Sequence, residues 1–189
     1  MTGENSFLLL GESEDSEPVA QNSHWRVLFS PAGTGHVLFT KSELSDNEVR
    51  IYSDNFALAR WLQEGIQASM TPLYSGSEIP IIEAEFSQSG DTMTAWTEYI
   101  ETESEAISLT WYDFREAFAV ANPPGENPDQ PHGVYSVLVP ARRAQMTINE
   151  DTSRGKVLPR KIGEVKSSCC CLALSESWII PRDHEWADG

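Results

Sequence analysis

Three segments of the chain place a tryptophan and a carboxylate two residues apart. The pairs are Trp96 with Glu98, Trp111 with Asp113, and Trp178 with Glu176. Because side chains alternate along a β-strand, residues at positions i and i+2 lie on the same face of a sheet. Apolar residues in the same register, such as Ile107 and Leu109, indicate that this face points towards the core. The register of Trp96 is ambiguous, because Met93, Ala95 and Tyr99 compete for the inward face.

A carboxylate that faces a core is costly unless it is hydrogen-bonded, paired with a cation or protonated. The pairs therefore predict a wet cavity or a buried partner for each acid. In a cavity, tryptophan rings bind apolar rings, sugars or cations, and carboxylates accept hydrogen bonds from hydroxyl or ammonium groups. The alternative is that these acids lie at wet strand ends or pair with arginines, which leaves no pocket.

The same residue types predict acid–base chemistry, because a carboxylate held against tryptophan keeps its proton to higher pH. The candidate catalytic residues are Glu98, Asp113 and Glu176. The candidate ligand-binding residues are aromatic side chains on these strands: Trp96, Tyr99, Trp111, Tyr112 and Trp178. His24 is a further group that could assist. The Gly-x-Ser-x-Gly motif is absent, so a serine nucleophile is not predicted.

Three adjacent cysteines, at positions 169–171, raise the question of a metal or redox site. A structural zinc ion needs four ligands that converge on one point, whereas neighbours on a strand point to opposite faces. The sequence therefore predicts no metal and no other cofactor, and it treats these cysteines as small core residues of a strand. A reactive thiol at Cys169 or Cys171 stays open as an alternative.

Strand patterns dominate the elements that must position these residues. "HWRVLFS" and "GHVLFTK" flank a Gly-containing turn and predict a hairpin, and "TMTAWTEYIE", "AISLTWYDF" and "CCCLALSESWII" predict further strands. "DNFALARWLQEGI" predicts one helix, with Asp54 as its N-cap and Leu58 and Leu62 on its apolar face.

We therefore predict a mainly β fold with one short amphipathic helix, either an antiparallel β-barrel that is calycin-like in architecture or a two-sheet sandwich. The predicted domain spans residues 24–181. The acidic residues 1–23 and the polar residues 182–189 are predicted to be flexible tails, with one added strand at a sheet edge, Phe7–Leu10, as the alternative within the first tail.

Charge limits the partners, because the chain has 29 acidic and 13 basic residues and a net charge of −16. Such a charge repels phosphate backbones and anionic lipids, so neither nucleic acid nor a membrane is a predicted partner. The sequence has no apolar stretch of about 18 residues, as a membrane helix requires, and a cytoplasmic location is expected.

Residues 142–166 differ from the rest, with seven basic and three acidic residues and a net charge of +4. This segment predicts a docking surface for an acidic partner, or for a second copy of this acidic chain in a homodimer. Its candidate partner-binding residues are Arg142, Arg143, Arg160 and Lys161. A solvated loop without a partner is the alternative.

Three functions follow from these patterns. The first is a β-barrel that binds a small neutral or cationic molecule in a cavity lined by the tryptophans and acids. The second is an acid–base enzyme, such as a lyase, isomerase or hydratase, that uses the same cavity. The third is an interaction module that docks through residues 142–166.

Overall fold

The computed structural model describes residues 3–11, 16–124 and 133–178. Strands account for most of this part of the chain: β1 (Glu4–Leu10), β2 (Pro18–Val27), β3 (Gly35–Ser42), β4 (Val49–Ser53), β5 (Ile81–Glu83), β6 (Glu85–Gly90), β7 (Ala95–Glu101), β8 (Ala106–Phe114), β9 (Phe118–Asn122), β10 (Gly133–Ile148), β11 (Asp151–Thr152), β12 (Pro159–Ile162), β13 (Val165–Ser168) and β14 (Cys170–Trp178). One helical segment contains α1 (Phe56–Leu62), a π-helical turn (Gln63–Gln67) and α2 (Ala68–Met70).

The main sheet curls into a nearly closed barrel. Its strand order is β5-β4-β3-β2-β1-β14-β10-β8-β7-β6, and its pairs are antiparallel except for β4 with β5. The two end strands, β5 and β6, are separated in the chain by Ala84 alone. One continuous segment therefore pairs first with β4 and then with β7, and so brings the two edges of the sheet together. The predicted β-barrel is confirmed.

The barrel interior is a packed apolar core. Alternate residues of neighbouring strands supply it, as Phe7 and Leu9 do on β1 and Ile107, Leu109 and Trp111 do on β8. The rings of Phe7 and Trp111 meet edge to face, with centroids 5.1 Å apart. Burial of such side chains contributes about 1.5–3 kcal/mol each.

A second core lies between the outer face of β2–β4 and the helical segment. Leu58 and Leu62 of α1 are fully buried there against strand residues such as Val37 and Phe39. The predicted helix is therefore confirmed, but its N-cap is Asn55 and not Asp54. The Asn55 side chain accepts a hydrogen bond from the backbone N–H of Leu58.

The N-terminal segment is central to the barrel, which contradicts the predicted flexible tail. Although residues 1–23 are acidic, β1 lies between β2 and β14 and buries Phe7 and Leu9. β2 begins at Pro18, also inside the predicted tail. Residues 12–15 and the predicted C-terminal tail, 182–189, lie outside the described residues.

β10 is long enough to belong to two parts of the molecule. Its residues 141–148 pair with β8 in the barrel wall. Its residues 134–138 pair with β9, and residues 133–140 pair with β14. β9, the first half of β10 and the end of β14 thus form a three-stranded extension of the sheet.

Candidate functional site

Trp96 and Glu98 of β7 point into the barrel, as predicted. Their direct cross-strand partners on β8 are Trp111 and Leu109, which are fully buried in the core. Directly opposite residues of an antiparallel pair share a face, and Glu98 is only 1% exposed. The sequence pattern therefore identified one inward carboxylate correctly.

Glu98 is held by two side chains. The indole Nε1–H of Trp96 donates to Glu98 Oε1 at 2.7 Å, and Arg26 Nη2 lies 3.5 Å from the same oxygen. The Arg26 guanidinium also lies over the Trp96 ring, 5.6 Å from its centroid. Burial raises the pKa of Glu98 above its ordinary value, while the Trp96 hydrogen bond and the Arg26 charge partly oppose that shift.

His24 of β2 lies beside this carboxylate and is fully buried. Its Nδ1 is 3.3 Å from Asn5 Nδ2, and its Nε2 is 3.9 Å from Glu98 Oε2, beyond hydrogen-bond distance. Burial, with the nearby His36 and Arg26, lowers the pKa of His24 to about 3. His24 is therefore neutral at pH 7 and does not form an ion pair with Glu98.

An open groove of about 820 Å³ lies at this end of the barrel. Its borders are the end of β2, the start of β3, the residues after β4 and the last residue of β5. Its walls include Arg26, Leu28, His36, Asp54, Phe56 and Glu83. Arg26 and His36 are direct cross-strand partners. Arg26 thus belongs both to the groove wall and to the buried Glu98 cluster.

Two short polar contacts in the groove join His36 and Asp54. His36 Nδ1 lies 2.7 Å from Asp54 Oδ2, and the backbone N–H of His36 donates to Asp54 Oδ1 at 2.6 Å. The His36 ring stacks on Phe86, with centroids 5.2 Å apart and an interplanar angle of 13°. One carboxylate and one aromatic ring therefore fix the imidazole in a single orientation.

Asp113 and Glu176 do not face the interior, which corrects two of the predicted catalytic positions. Asp113 is exposed, pairs with Arg142 at 3.1 Å, and has a φ of 56° that breaks the strand alternation. Glu176 is exposed because β14 has left the barrel at that point, and Leu174 on the same face is 57% exposed. Neither acid lines the groove.

The predicted aromatic residues also separate. Trp111 is buried in the core, where its Nε1–H donates to the Ser6 carbonyl at 3.0 Å. Tyr99 is 37% exposed on the outer face of β7, and Tyr112 lies under the Arg143 guanidinium at 5.0 Å. The side chain of Trp178 lies outside the described residues. Among the described side chains of this set, Trp96 alone reaches the Glu98 cluster.

Sequence reasoning missed His36, Asp54 and Arg26 as site residues. The sequence pattern predicts a helix cap at Asp54 and assigns no role to His36. The available signal was the hairpin itself, because pairing β2 with β3 places His24 and Arg26 on the face that also carries His36.

The cysteine cluster is buried and compact. Cys169 lies between β13 and β14. The Sγ atoms of Cys169 and Cys170 both contact the Leu8 carbonyl oxygen, at 3.0 and 3.3 Å. The prediction that adjacent cysteines point apart is wrong for this pair, because the chain bends there. Hydrogen bonding from Cys170 lowers the pKa of Cys169 to about 7, whereas burial raises that of Cys171 to about 12.

The predicted partner-binding residues lie on two elements. Arg142 and Arg143 are exposed on β10, and Arg160 and Lys161 are exposed on the hairpin of β12 and β13. Their docking role stays a prediction.

Within residues 3–11, 16–124 and 133–178, no group of three or more histidine, cysteine, aspartate or glutamate side chains is placed to hold a metal ion. The helices of the described chain are all too short or too polar to cross a membrane. Comparison with protein-family models, with curated proteins and with solved structures finds no match.

Proposed function

We propose that this protein binds a small neutral or cationic molecule in the groove beside Arg26 and His36. The observation that carries the proposal is the lining of the groove. It combines exposed apolar side chains, Leu28 at 65% and Phe56 at 51%, with the carboxylates of Asp54 and Glu83. Ligand sites in proteins typically combine apolar walls with a few polar groups.

Charge favours a neutral or cationic ligand. The one arginine in the groove wall already has Glu98 as its counter-ion. Asp54 and Glu83 then dominate the local field, and the net charge of −16 acts in the same direction at long range. Such a ligand places an apolar or aromatic part on Leu28 and Phe56, and its hydroxyl or ammonium groups donate to the carboxylates.

A ligand screen followed by two variants tests this proposal. We expect thermal-shift or NMR hits among aromatic amines and hydroxylated aromatics. Phe56→Ala should weaken a hit about 10-fold, because the ligand loses an apolar contact worth roughly 1.4 kcal/mol. Glu83→Gln should weaken cationic hits more than neutral ones.

Two matched variants provide the controls. Leu174→Ala removes a similarly exposed apolar side chain on β14, and Glu101→Gln neutralises an exposed acid of β7 that does not line the groove. Neither should change affinity. An empty screen of a broad library, or hits that bind both groove variants as tightly as the parent chain, would contradict the proposal.

A second candidate is an acid–base enzyme that uses Glu98, and the burial of that carboxyl group against Trp96 favours it. Burial raises the pKa of Glu98, and a carboxyl group that holds its proton to higher pH is a better proton donor to a bound molecule. Glu98→Gln should then abolish turnover of a groove ligand while the protein stays folded, and Glu101→Gln should not. Unchanged turnover in Glu98→Gln removes Glu98 from the mechanism.

A further inference from the structure

We propose that His36 and Asp54 form a general-base pair that activates a water molecule to hydrolyse carboxylic esters bound in the groove. The inference rests on the proposed binding function, because it assigns a reaction to the same groove. It does not use Glu98 as a base. It concerns the outer wall of the groove, where the imidazole is fixed and solvent is present.

The hydrogen-bond pattern defines which ring nitrogen is available. An ionised carboxylate only accepts, so the 2.7 Å contact to Asp54 Oδ2 places a proton on His36 Nδ1. Nε2 then carries the lone pair. Among the described residues none hydrogen-bonds to this atom, and it is not one of their buried unpartnered atoms, so it is open to water.

Water is the nucleophile that this geometry allows. Ser53 Oγ donates to the His36 backbone carbonyl oxygen, but no described hydroxyl or thiol group hydrogen-bonds to the His36 imidazole, which argues against a covalent mechanism of the serine or cysteine type. His36 and Asp54 are 27% and 35% exposed, so the base stands in solvent. A base in an open groove suits water activation better than the formation of a carbanion, which requires water to be excluded.

Arg26 supplies the second group that ester hydrolysis needs. It is the cross-strand partner of His36 and also lines the groove. Among the described residues its one hydrogen-bond acceptor is Glu98, reached through Nη2, which leaves other N–H donors for a ligand. Those donors can stabilise the negative charge that develops on a carbonyl oxygen.

The reaction balances without any added reagent. Nε2 of His36 removes a proton from water as the water oxygen bonds to the ester carbonyl carbon, and the carbonyl π electrons move to the oxygen near Arg26. The intermediate then collapses, its C–O bond to the alcohol breaks, and the alkoxide takes the proton from Nε2. The products are a carboxylic acid and an alcohol. Leu28 and Phe56 favour esters with apolar acyl or aryl groups.

The test uses the full chain with p-nitrophenyl butyrate, followed by release of p-nitrophenolate. We expect saturable hydrolysis that His36→Gln lowers at least about 100-fold in kcat/KM, as is typical for loss of a general base. Added imidazole should partly restore the His36→Ala variant. His184→Gln, which removes another imidazole, should leave the rate unchanged and so exclude non-specific histidine catalysis.

Asp54 is a positioning residue, and its test separates orientation from folding. Asp54→Asn should lower kcat about 10-fold with KM unchanged, because the imidazole loses its fixed tautomer. In ¹⁵N NMR spectra the His36 ring should show a protonated Nδ1 in the parent chain and a mixed signal in Asp54→Asn. Asp46→Asn is the matched control, since Asp46 is exposed with a φ of 53° that asparagine also tolerates.

The outcomes distinguish this inference from the binding proposal. If the amide analogue p-nitrobutyranilide binds in a Phe56-dependent manner and the ester is not hydrolysed, the hydrolytic role is wrong and the groove still binds ligands. Equal rates in His36→Gln and the parent chain, or in Asp54→Asn and the parent chain, also overturn the role of the pair. If the amide does not bind and the ester is not cleaved, the hydrolytic role is excluded. The binding proposal is contradicted only if the wider ligand screen also finds no hit.

Discussion

Glu98 and His24 share one buried region of the barrel, and burial changes their pKa values in opposite directions. It raises the pKa of Glu98 and lowers that of His24 to about 3, because loss of water disfavours the charged form of each group. The imidazole of His24 is therefore neutral where it lies 3.9 Å from the Glu98 carboxyl group, and the two side chains do not form an ion pair. Arg26 is the cation that Glu98 faces.

The buried His24 predicts a loss of stability in mild acid. The unfolded chain binds a proton at this histidine below its ordinary pKa of about 6.5, and the folded chain does so only near pH 3. His24 therefore contributes stability above pH 6.5 that is lost as the pH falls. Between pH 6.5 and 5 the free energy of unfolding should decrease by up to about 1.4 kcal/mol per pH unit from this group.

Urea titrations at several pH values measure this effect as the difference between the parent chain and His24→Gln. The groups that face His24 are Asn5 on β1, Arg26 on β2, His36 on β3 and Glu98 on β7. Glu98 acts with the opposite sign, since its raised pKa loses stability as the pH rises. If the free energy of unfolding depends on pH equally steeply in His24→Gln and in the parent chain, the loss in acid does not come from His24.

The Trp96 hydrogen bond predicts a measurable cost for Trp96→Phe. The change keeps the ring that faces Arg26 and removes the donor to the buried Glu98 oxygen. We expect a loss of about 1–3 kcal/mol in the free energy of unfolding and a further rise in the pKa of Glu98. Trp61→Phe is the control, because Trp61 packs on the second core without a described hydrogen bond; equal losses would show that the hydrogen bond contributes nothing.

Individual strands change their surroundings along their length, and this determines which of their residues are buried. On β14 both faces are buried from Cys170 to Ala173, whereas beyond Ala173 the face of Leu174 and Glu176 is exposed and Ser175 on the other face stays buried. β14 pairs with the first half of β10 along this stretch, so its pairing does not change where the exposure does. One face of the strand is thus covered further along its length than the other.

Two glycines, Gly90 at the β6–β7 turn and Gly65 in the helical segment, predict opposite effects of substitution by alanine. Gly90 has a φ of +92°, and a Cβ there would overlap the Ala95 carbonyl oxygen. Gly90→Ala should therefore cost more than about 2 kcal/mol in urea unfolding. Gly65→Ala, in the helical segment with open space around the new Cβ, should instead stabilise the protein by up to about 1 kcal/mol. The interpretation fails if both variants change stability in the same direction.

The molecule as a whole consists of two cores that share the strands β2, β3 and β4. One core fills the barrel and the other lies beneath the helical segment, so these strands are buried on both faces. β1 lies next to them and connects the β2 side of the barrel to β14. The acidic composition of residues 1–23 therefore does not indicate the position of β1, whose own acid, Glu4, accepts a hydrogen bond from the Ser23 hydroxyl at 2.6 Å.

This arrangement predicts that β1 is essential for stability. Leu9→Ala removes a side chain that is 1% exposed in the barrel core and should cost about 2–5 kcal/mol. The control Leu174→Ala, at a position that is 57% exposed, should cost less than about 1 kcal/mol. Chemical denaturation measures both. A small loss of stability in Leu9→Ala would instead support the predicted flexible N-terminal tail.

The sequence predicted the site only in part. Trp96 and Glu98 share a register with Ile100, but that register was ambiguous from the sequence, because Met93, Ala95 and Tyr99 compete for the inward face. Asp113 failed because a left-handed backbone conformation, which aspartate tolerates, ends the alternation there. Arg26, His36 and Asp54 come from three different strand ends, and no local pattern indicates that such residues meet.

By itself the sequence determined what depends on neighbours along the chain. Period-two alternation specified strands, a period near 3.6 specified the helix, and together they specified a mainly β molecule, in which an inward Glu98 was one of two interpretations. Tertiary structure alone decided which part of each strand lies in the barrel wall, that β1 is central, and that the groove joins His36 to Asp54. The reason is physical: alternation defines the two faces of a strand, but whether a face meets a core, a groove or water depends on residues far away in the sequence.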